Sequence, residues 1–253
     1  MHIVDLTERA GIGLALEAAE LRLAPGVSAA QTKVRGRDLL EPVCMAPETA
    51  PEVGYVVLED VARDADRPVL ERSGLRYDVL VLPSGEFGSE FAKTAGHSHV
   101  IPPGAQGSYP EILVVLHGVC HHLVQSEADP PNTRVGLAVG QAGDHLWVPP
   151  GFGHVVINAN PEHLVVASVT ARANRNIHAH FQAHRGAAHY ALEQGGEVRW
   201  QANPHYTQLT FPEPAAPVPR GLVTTGRPLY TALVEQPAVY SALLEPDTLA
   251  AAR

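Results

Sequence analysis

Residues 143–158 read GDHLWVPPGFGHVVIN. Gly143, Pro149, Gly151, His154 and Asn158 fall in the order G-x5-P-x-G-x2-H-x3-N. Turn residues separate two strand-like runs here and deliver His154 at the start of the second. Upstream and downstream the texture is the same. Short runs rich in Val, Ile and Leu recur at 54–58, 76–83, 111–118, 119–125, 134–140, 145–149, 154–158 and 163–170, with EVRW (197–200) as a further candidate. Gly and Pro punctuate them. Strands of this length and spacing predict an all-β sandwich or barrel. Few helical periods intervene, which disfavours a parallel βαβ sheet.

Outward from His154, three more residues have the chemistry of metal ligands. His97-Ser98-His99 places two imidazoles on the same face of a strand, because side chains alternate. Glu111 opens the run EILVVLHG and supplies a carboxylate, with Gly118 at the following turn. Three nitrogens and one oxygen suit Fe, Ni, Mn or Zn, with positions left open for substrate or water. Other histidines read differently. His121 and His122 point to opposite faces of a strand, so at most one faces a cavity. His117 and His145 read as rim positions. His178, His180, His184 and His189 in HAHFQAHRGAAH read as a solvated loop, with a second metal cluster as the alternative. Lys33, Arg35 and Arg37 read as a solvated basic face.

Composition limits the function classes. The chain has 253 residues and a net charge of −9, from 18 Lys+Arg against 27 Asp+Glu. That balance argues against nucleic acid, which needs a basic surface. No apolar run approaches the ~20 residues of a membrane span. Two cysteines without CxxC spacing fit a reducing compartment. The N-terminal residues lack the basic and apolar regions of a secretion signal. A cytoplasmic protein without membrane contact is expected. Residues 12–23 (IGLALEAAELRL) predict a helix closed by Pro25-Gly26. The stretch after Phe211, PEPAAPVPRG, predicts a linker or an arm lying over the barrel. Residues 238–252 predict a terminal helix interrupted by Pro246.

With these residues in view, the sequence resembles the cupin superfamily. The second cupin motif matches at every defining position of 143–158. The first matches through His97-x-His99 and the E-x6-G of Glu111 to Gly118, but the gap between them is longer than usual. The intervening VIPPGAQGSYP (100–110) looks like an inserted loop at the barrel mouth. The fold this implies is all-β, a cupin double-stranded β-helix or jelly-roll barrel with an N-terminal helix and a C-terminal extension. The expected division is 1–32 as a helical lead-in, 33–210 as the barrel, and 211–253 as a Pro-rich arm with a helix.

A closer resemblance is to the cupin-type glucose-6-phosphate isomerases. It rests on EFAKTAGHSH (90–99), PEILVVLHG (110–118) and GGEVRWQANPHY (195–206), and it spans roughly 33–206. The resemblance implies a metal-dependent enzyme that isomerises glucose 6-phosphate to fructose 6-phosphate, a step shared by glycolysis and gluconeogenesis. It implies His97, His99, Glu111 and His154 as ligands of a divalent ion, iron first, with Mn, Ni or Zn as alternatives. Glu111 would be both ligand and catalytic base of a metal-stabilised enediolate route, with a metal-assisted hydride shift as the competing mechanism. Thr94 and Gly96 would bind the phosphate. By the same analogy a homodimer is expected, with a sugar phosphate as the small-molecule partner. Some family positions are changed: a tyrosine becomes Leu113, a phosphate-binding threonine falls near Asp78-Val79, and a tyrosine and a histidine align with Thr170 and Asn176. Tyr109, Lys93 or the extra histidines are the candidates to rebuild the pocket. The alternatives are an isomerase or epimerase for another sugar, an iron cupin oxygenase, and a non-catalytic sugar-binding cupin.

Overall fold

The computed structural model describes residues 3–126, 133–207, 209–223 and 226–250. Two curled antiparallel sheets face one another. One runs in the order Glu197–Ala202, His189–Gln194, Glu90–Lys93, Phe152–Asn158, Val119–Ser126, Val135–Gln141. The other runs His145–Val148, Glu111–His117, Leu164–Ala171, Leu75–Leu82, Tyr55–Glu59, Gln31–Arg35. They are called here the histidine sheet and the glutamate sheet, after the residues each carries. The pair forms a jelly-roll barrel. Each strand-like run named from the sequence lies in one of these strands, EVRW included.

Alternation in the glutamate sheet decides what faces the barrel interior. Ile112, Val114, Leu116, Tyr77, Val79, Val81, Val165, Ala167 and Val169 form one core with residues from both ends of the chain, among them Leu14, Leu16, Leu229, Leu233 and Leu243. Their neighbours Glu111, Leu113, Arg76, Asp78, Leu80, Val166 and Ser168 turn the other way and line an interior cavity. The terminal segments thus coat the outside of this sheet. Each leucine fully buried in that coat is worth about 1.5–3 kcal/mol.

The helix expected over 12–23 is absent. Leu14–Glu17 and Glu20–Leu23 pair as a hairpin instead. On a helix, at 100° per residue, Leu14 and Leu21 would fall on one side and Leu16 and Leu23 on the other. A hairpin puts all four against the core, and packing overrides propensity. The turn is Ala18-Ala19, both at positive φ, where alanine is unusual. The lead-in keeps only the short helix Thr7–Ala10. At the other end, the single interrupted helix is replaced by Leu229–Glu235, a 3-10 stretch Pro237–Leu244, and Pro246–Ala250, which Pro246 begins rather than breaks. Residues 251 and 252 of that expectation lie outside the described residues. The Pro-rich arm does lie on the barrel: Glu213–Pro214 pairs in parallel with Gly136–Leu137 and covers that edge of the histidine sheet. No described helix is long and apolar enough to cross a membrane. Cys44 and Cys120 are buried and unlinked.

Candidate metal centre

His97 and His154 lie directly opposite one another across an antiparallel bridge. Their backbones exchange both hydrogen bonds, at 3.1 and 2.9 Å, so both side chains leave the same face. His99 follows two residues later in the short strand Ser98–His99. Glu111 reaches across from the facing sheet, where it opens the strand Glu111–His117. Thr170 stands beside it and donates its hydroxyl to the Pro110 carbonyl at 3.1 Å, fixing the backbone just before Glu111.

The four side chains converge as the spacing predicts. One ligand atom from each lies within 4.8 Å of all the others. His154 Nε2 is 3.2 Å from His97 Nε2 and 3.3 Å from Glu111 Oε2, and His99 Nε2 is 3.5 Å from Glu111 Oε2. Donors bound to one ion at about 2.0–2.2 Å stand roughly 3–3.5 Å apart, so this spacing fits a shared cation. Two observations support that fit. His99 Nε2 and Glu111 Oε2 are buried without a hydrogen-bond partner, which costs free energy unless something occupies the space between them. The outer nitrogens of two of the rings are already engaged: His99 Nδ1–H donates to the Tyr109 carbonyl at 2.7 Å, leaving the Nε2 lone pair aimed inward, and His154 Nδ1 meets His122. Among the described residues, no other group of three or more His, Cys, Asp or Glu side chains converges in this way.

Electrostatics suits cation binding. Burial lowers His97 well below the usual histidine range and brings His154 to about 4, so both rings are neutral near pH 7. Burial works to raise the Glu111 carboxyl, but the neighbouring His99 and His154 outweigh it and bring it to about 2. His97 and His154 therefore offer neutral imidazole nitrogens and Glu111 an ionised carboxylate, the protonation states a divalent ion requires.

His122 was not singled out from the sequence, beyond the point that one of His121 and His122 could face inward. It is the inward one, fully buried, with Nε2 2.9 Å from His154 Nδ1. His121 faces the other way, beside Trp200. For His154 Nε2 to present a lone pair, its Nδ1–H must donate to His122. His122 then carries its own proton on Nδ1, an atom with no partner. His122 thus selects the ligand tautomer at a cost elsewhere. Replacing it with Phe is expected to weaken divalent-metal binding by about 10- to 100-fold. Competition against a chromophoric chelator measures this, and an unchanged affinity would show that the tautomer is set by other contacts.

The cavity beside the four residues also takes in Thr94, Tyr55, Lys33, Arg35, Arg76, Asp78, Ser168, Asn176 and His178, with apolar walls from Leu80, Leu113, Val156 and Val166. Burial pushes the Asp78 carboxyl up to about 6 against the pull of Arg76, which donates to it at 2.8 Å. Three expectations change. Lys33 and Arg35 line this cavity rather than a solvated face, and only Arg37 pairs outside, with Glu52 at 2.6 Å. Lys93 does not line the cavity; it is buried in an ion pair with Glu90. Of the histidine-rich loop, His178 packs against His97 and donates to the Gly96 carbonyl at 2.7 Å, while His189 is a buried strand residue.

The resemblance-derived substrate residues separate. Thr94 lines the cavity, and its hydroxyl oxygen accepts from Val156 N at 3.0 Å. Gly96 has φ +76, and a Cβ there would stand 2.6 Å from the Phe181 ring, so glycine is required for packing. Tyr109 is buried and acts through its backbone carbonyl on His99. The 100–110 insertion is pinned in place: Asp247 accepts from Gln106 N and Gly107 N, and Ser108 Oγ accepts from Gly151 N.

A family model described as Glucose-6-phosphate isomerase (GPI) matches residues 42–208. No curated protein sequence matches the chain. Similar solved structures include peruvianin-I, a cysteine peptidase from Thevetia peruviana latex, at 16% identity and a TM-score of 0.36, over 49% of this chain and 67% of that one. Oxalate decarboxylase from Bacillus subtilis gives 19% and 0.33, over 49% and 28% of the two chains. Vicilin from Corylus avellana (hazelnut) gives 15% and 0.37, over 49% and 32%. This chain thus spans less than a third of the oxalate decarboxylase and vicilin chains.

Proposed function

Since this chain belongs to the glucose-6-phosphate isomerase family, we propose that it interconverts glucose 6-phosphate and fructose 6-phosphate with one divalent ion held by His97, His99, Glu111 and His154. The observation that carries this reading is the convergence of three imidazoles and one carboxylate, two of whose buried atoms lack any other partner. When bound, a divalent ion polarises the sugar carbonyl and stabilises charge on its oxygen. The remaining work falls to side chains. Glu111, ionised at neutral pH, is placed to take the proton from one carbon of the C1–C2 pair and return it to the other. Leu80, Leu113 and Val166 exclude water from that transfer. Asp78, Arg76 and Ser168 offer the sugar hydroxyls a row of donors and acceptors along the same wall. The cation is expected to be iron, with manganese, nickel or zinc able to occupy the same donor set.

A coupled assay tests the reading. Fructose 6-phosphate should be converted to glucose 6-phosphate under anaerobic conditions, lose turnover on chelation, and regain it when Fe, Mn, Ni or Zn is restored. No metal-dependent turnover of this substrate would refute it. Oxygen consumption with another organic substrate would instead assign the centre to oxygenase chemistry.

A further inference from the structure

The cavity wall away from the metal centre carries three cations, Lys33, Arg35 and Arg76. Lys33 and Arg35 are two residues apart on the strand Gln31–Arg35, so they share its inward face, and Tyr55 stands directly opposite Arg35 on the next strand. Two of the three cations are already neutralised. Lys33 Nζ lies 2.5 Å from Glu59 Oε1, and Arg76 Nε lies 2.8 Å from Asp78 Oδ2. The Arg35 guanidinium has neither a carboxylate nor a hydrogen-bond acceptor among the described residues, although the side chain is half-buried. The cavity adjoins a groove that shares Arg35 and adds Arg172 and Arg175. Arg172 is spent on Asp60, and Arg175 donates to the carbonyls of Arg172 and Asn174.

A half-buried guanidinium that faces a cavity without a counter-charge is free to receive an anion. The chain as a whole carries −9, so acidic residues to pair it were plentiful. Neutral donors stand in the same cavity. The Tyr55 hydroxyl oxygen accepts from Ala95 N at 3.4 Å, and that of Thr94 accepts from Val156 N, which leaves both O–H groups able to donate. A guanidinium flanked by hydroxyls is the arrangement that recognises a phosphate dianion, through paired N–H donors.

We propose that Arg35 is the residue that receives the phosphate of the substrate, assisted by the Tyr55 and Thr94 hydroxyls, and that it selects phosphorylated over free sugars. The proposal rests on the sugar-phosphate isomerase reading for its substrate, while the anion site itself does not. It keeps the Thr94 hydroxyl as a contact and places the charged contact on the opposite sheet.

The test compares the metal-loaded protein with Arg35→Met and Arg35→Lys, each matched for metal content and melting temperature. For fructose 6-phosphate, Arg35→Met should raise KM by about tenfold or more, exceeding any fall in kcat, with Arg35→Lys in between. Inorganic phosphate, titrated by calorimetry, should bind the unaltered protein and be weakened by a similar factor in Arg35→Met. If the unaltered enzyme turns over fructose 6-phosphate and Arg35→Met leaves both KM and phosphate binding unchanged, the proposal is overturned and the isomerase reading stands. If the unaltered protein shows no such turnover, the isomerase reading fails and phosphate binding alone decides. Loss of binding in the variant supports the anion site, and equal or absent binding removes it. Should Arg35→Met not fold, the Arg35→Lys comparison carries the same outcomes, because lysine keeps the charge but not the paired donors.

Discussion

Glu111→Gln is expected to lower kcat for fructose 6-phosphate by about 10³-fold in protein whose metal content has been restored to that of the unaltered enzyme. The amide keeps the size of the carboxylate and one oxygen that can still approach the cation, so the histidine cluster should survive. It cannot hold a proton moving between C1 and C2. Losing a negative charge should also weaken cation binding, which is why metal content must be matched before rates are compared. A second measurement separates two roles. When the unaltered enzyme works in deuterium oxide, proton transfer through Glu111 should place solvent deuterium on the product at C1 or C2. Undiminished kcat in Glu111→Gln, with no solvent label in the product, would leave Glu111 as a ligand only and require hydrogen to pass directly between the two carbons.

Lys93→Met is expected to destabilise the protein by about 3–5 kcal/mol, read from the urea midpoint. Lys93 and Glu90 are 4% and 1% exposed, so neither charge can turn to water if its partner goes. Lys93 Nζ also donates to the Val43 carbonyl at 2.8 Å, and Glu90 Oε2 accepts from Met45 N at 3.0 Å. The pair therefore ties the 43–45 segment to the strand Glu90–Lys93, whose end leads into Thr94 and His97. Most of the loss in the single variant comes from the stranded Glu90 carboxylate. The double variant Lys93→Met, Glu90→Gln should recover about half of it or more, because glutamine can still accept from Met45 N without a charge. If the double variant is as unstable as the single one, packing around the lysine chain, not charge, holds this corner together.

The metal centre was legible because its signals are local. Alternation along a strand puts His97 and His99 on one face, and the Pro-x-Gly turn delivers His154 opposite them. Glu111 was readable from its strand despite the lengthened loop before it, which the structure pins to Asp247 and Gly151 without displacing the carboxylate. The substrate side was less legible, for a reason seen in QTKVR (31–35). Ordinary patterning would turn Val34 inward and leave Lys33 and Arg35 in water. The structure does the reverse, with Val34 58% exposed. Alternation tells which residues share a face but not which face is inside, and a polar cavity inverts the usual rule. Arg76 and Asp78 were hidden in the same way, on a strand whose Tyr77, Val79 and Val81 face the terminal coat. The N-terminal hairpin was obscured by Ala18-Ala19, residues that favour helix and rarely make such a turn. His122 left no signal of its own, since its role depends on a diagonal contact between neighbouring strands.

The coat laid down by the two ends of the chain has a consequence for how this wall can change. Along Leu75–Leu82, Tyr77, Val79 and Val81 answer to the coat, while Arg76, Asp78 and Leu80 line the cavity. Folding and selectivity are thus written on interleaved positions of the same strands. A sequence can revise the pocket by every second residue, exchanging a threonine for an acid or a tyrosine for a leucine, without touching the surface that keeps the sheet folded. The converse also holds: the span shared with the family, 42–208, excludes most of the coat, so the part that carries the chemistry is not by itself the part that makes the wall stable.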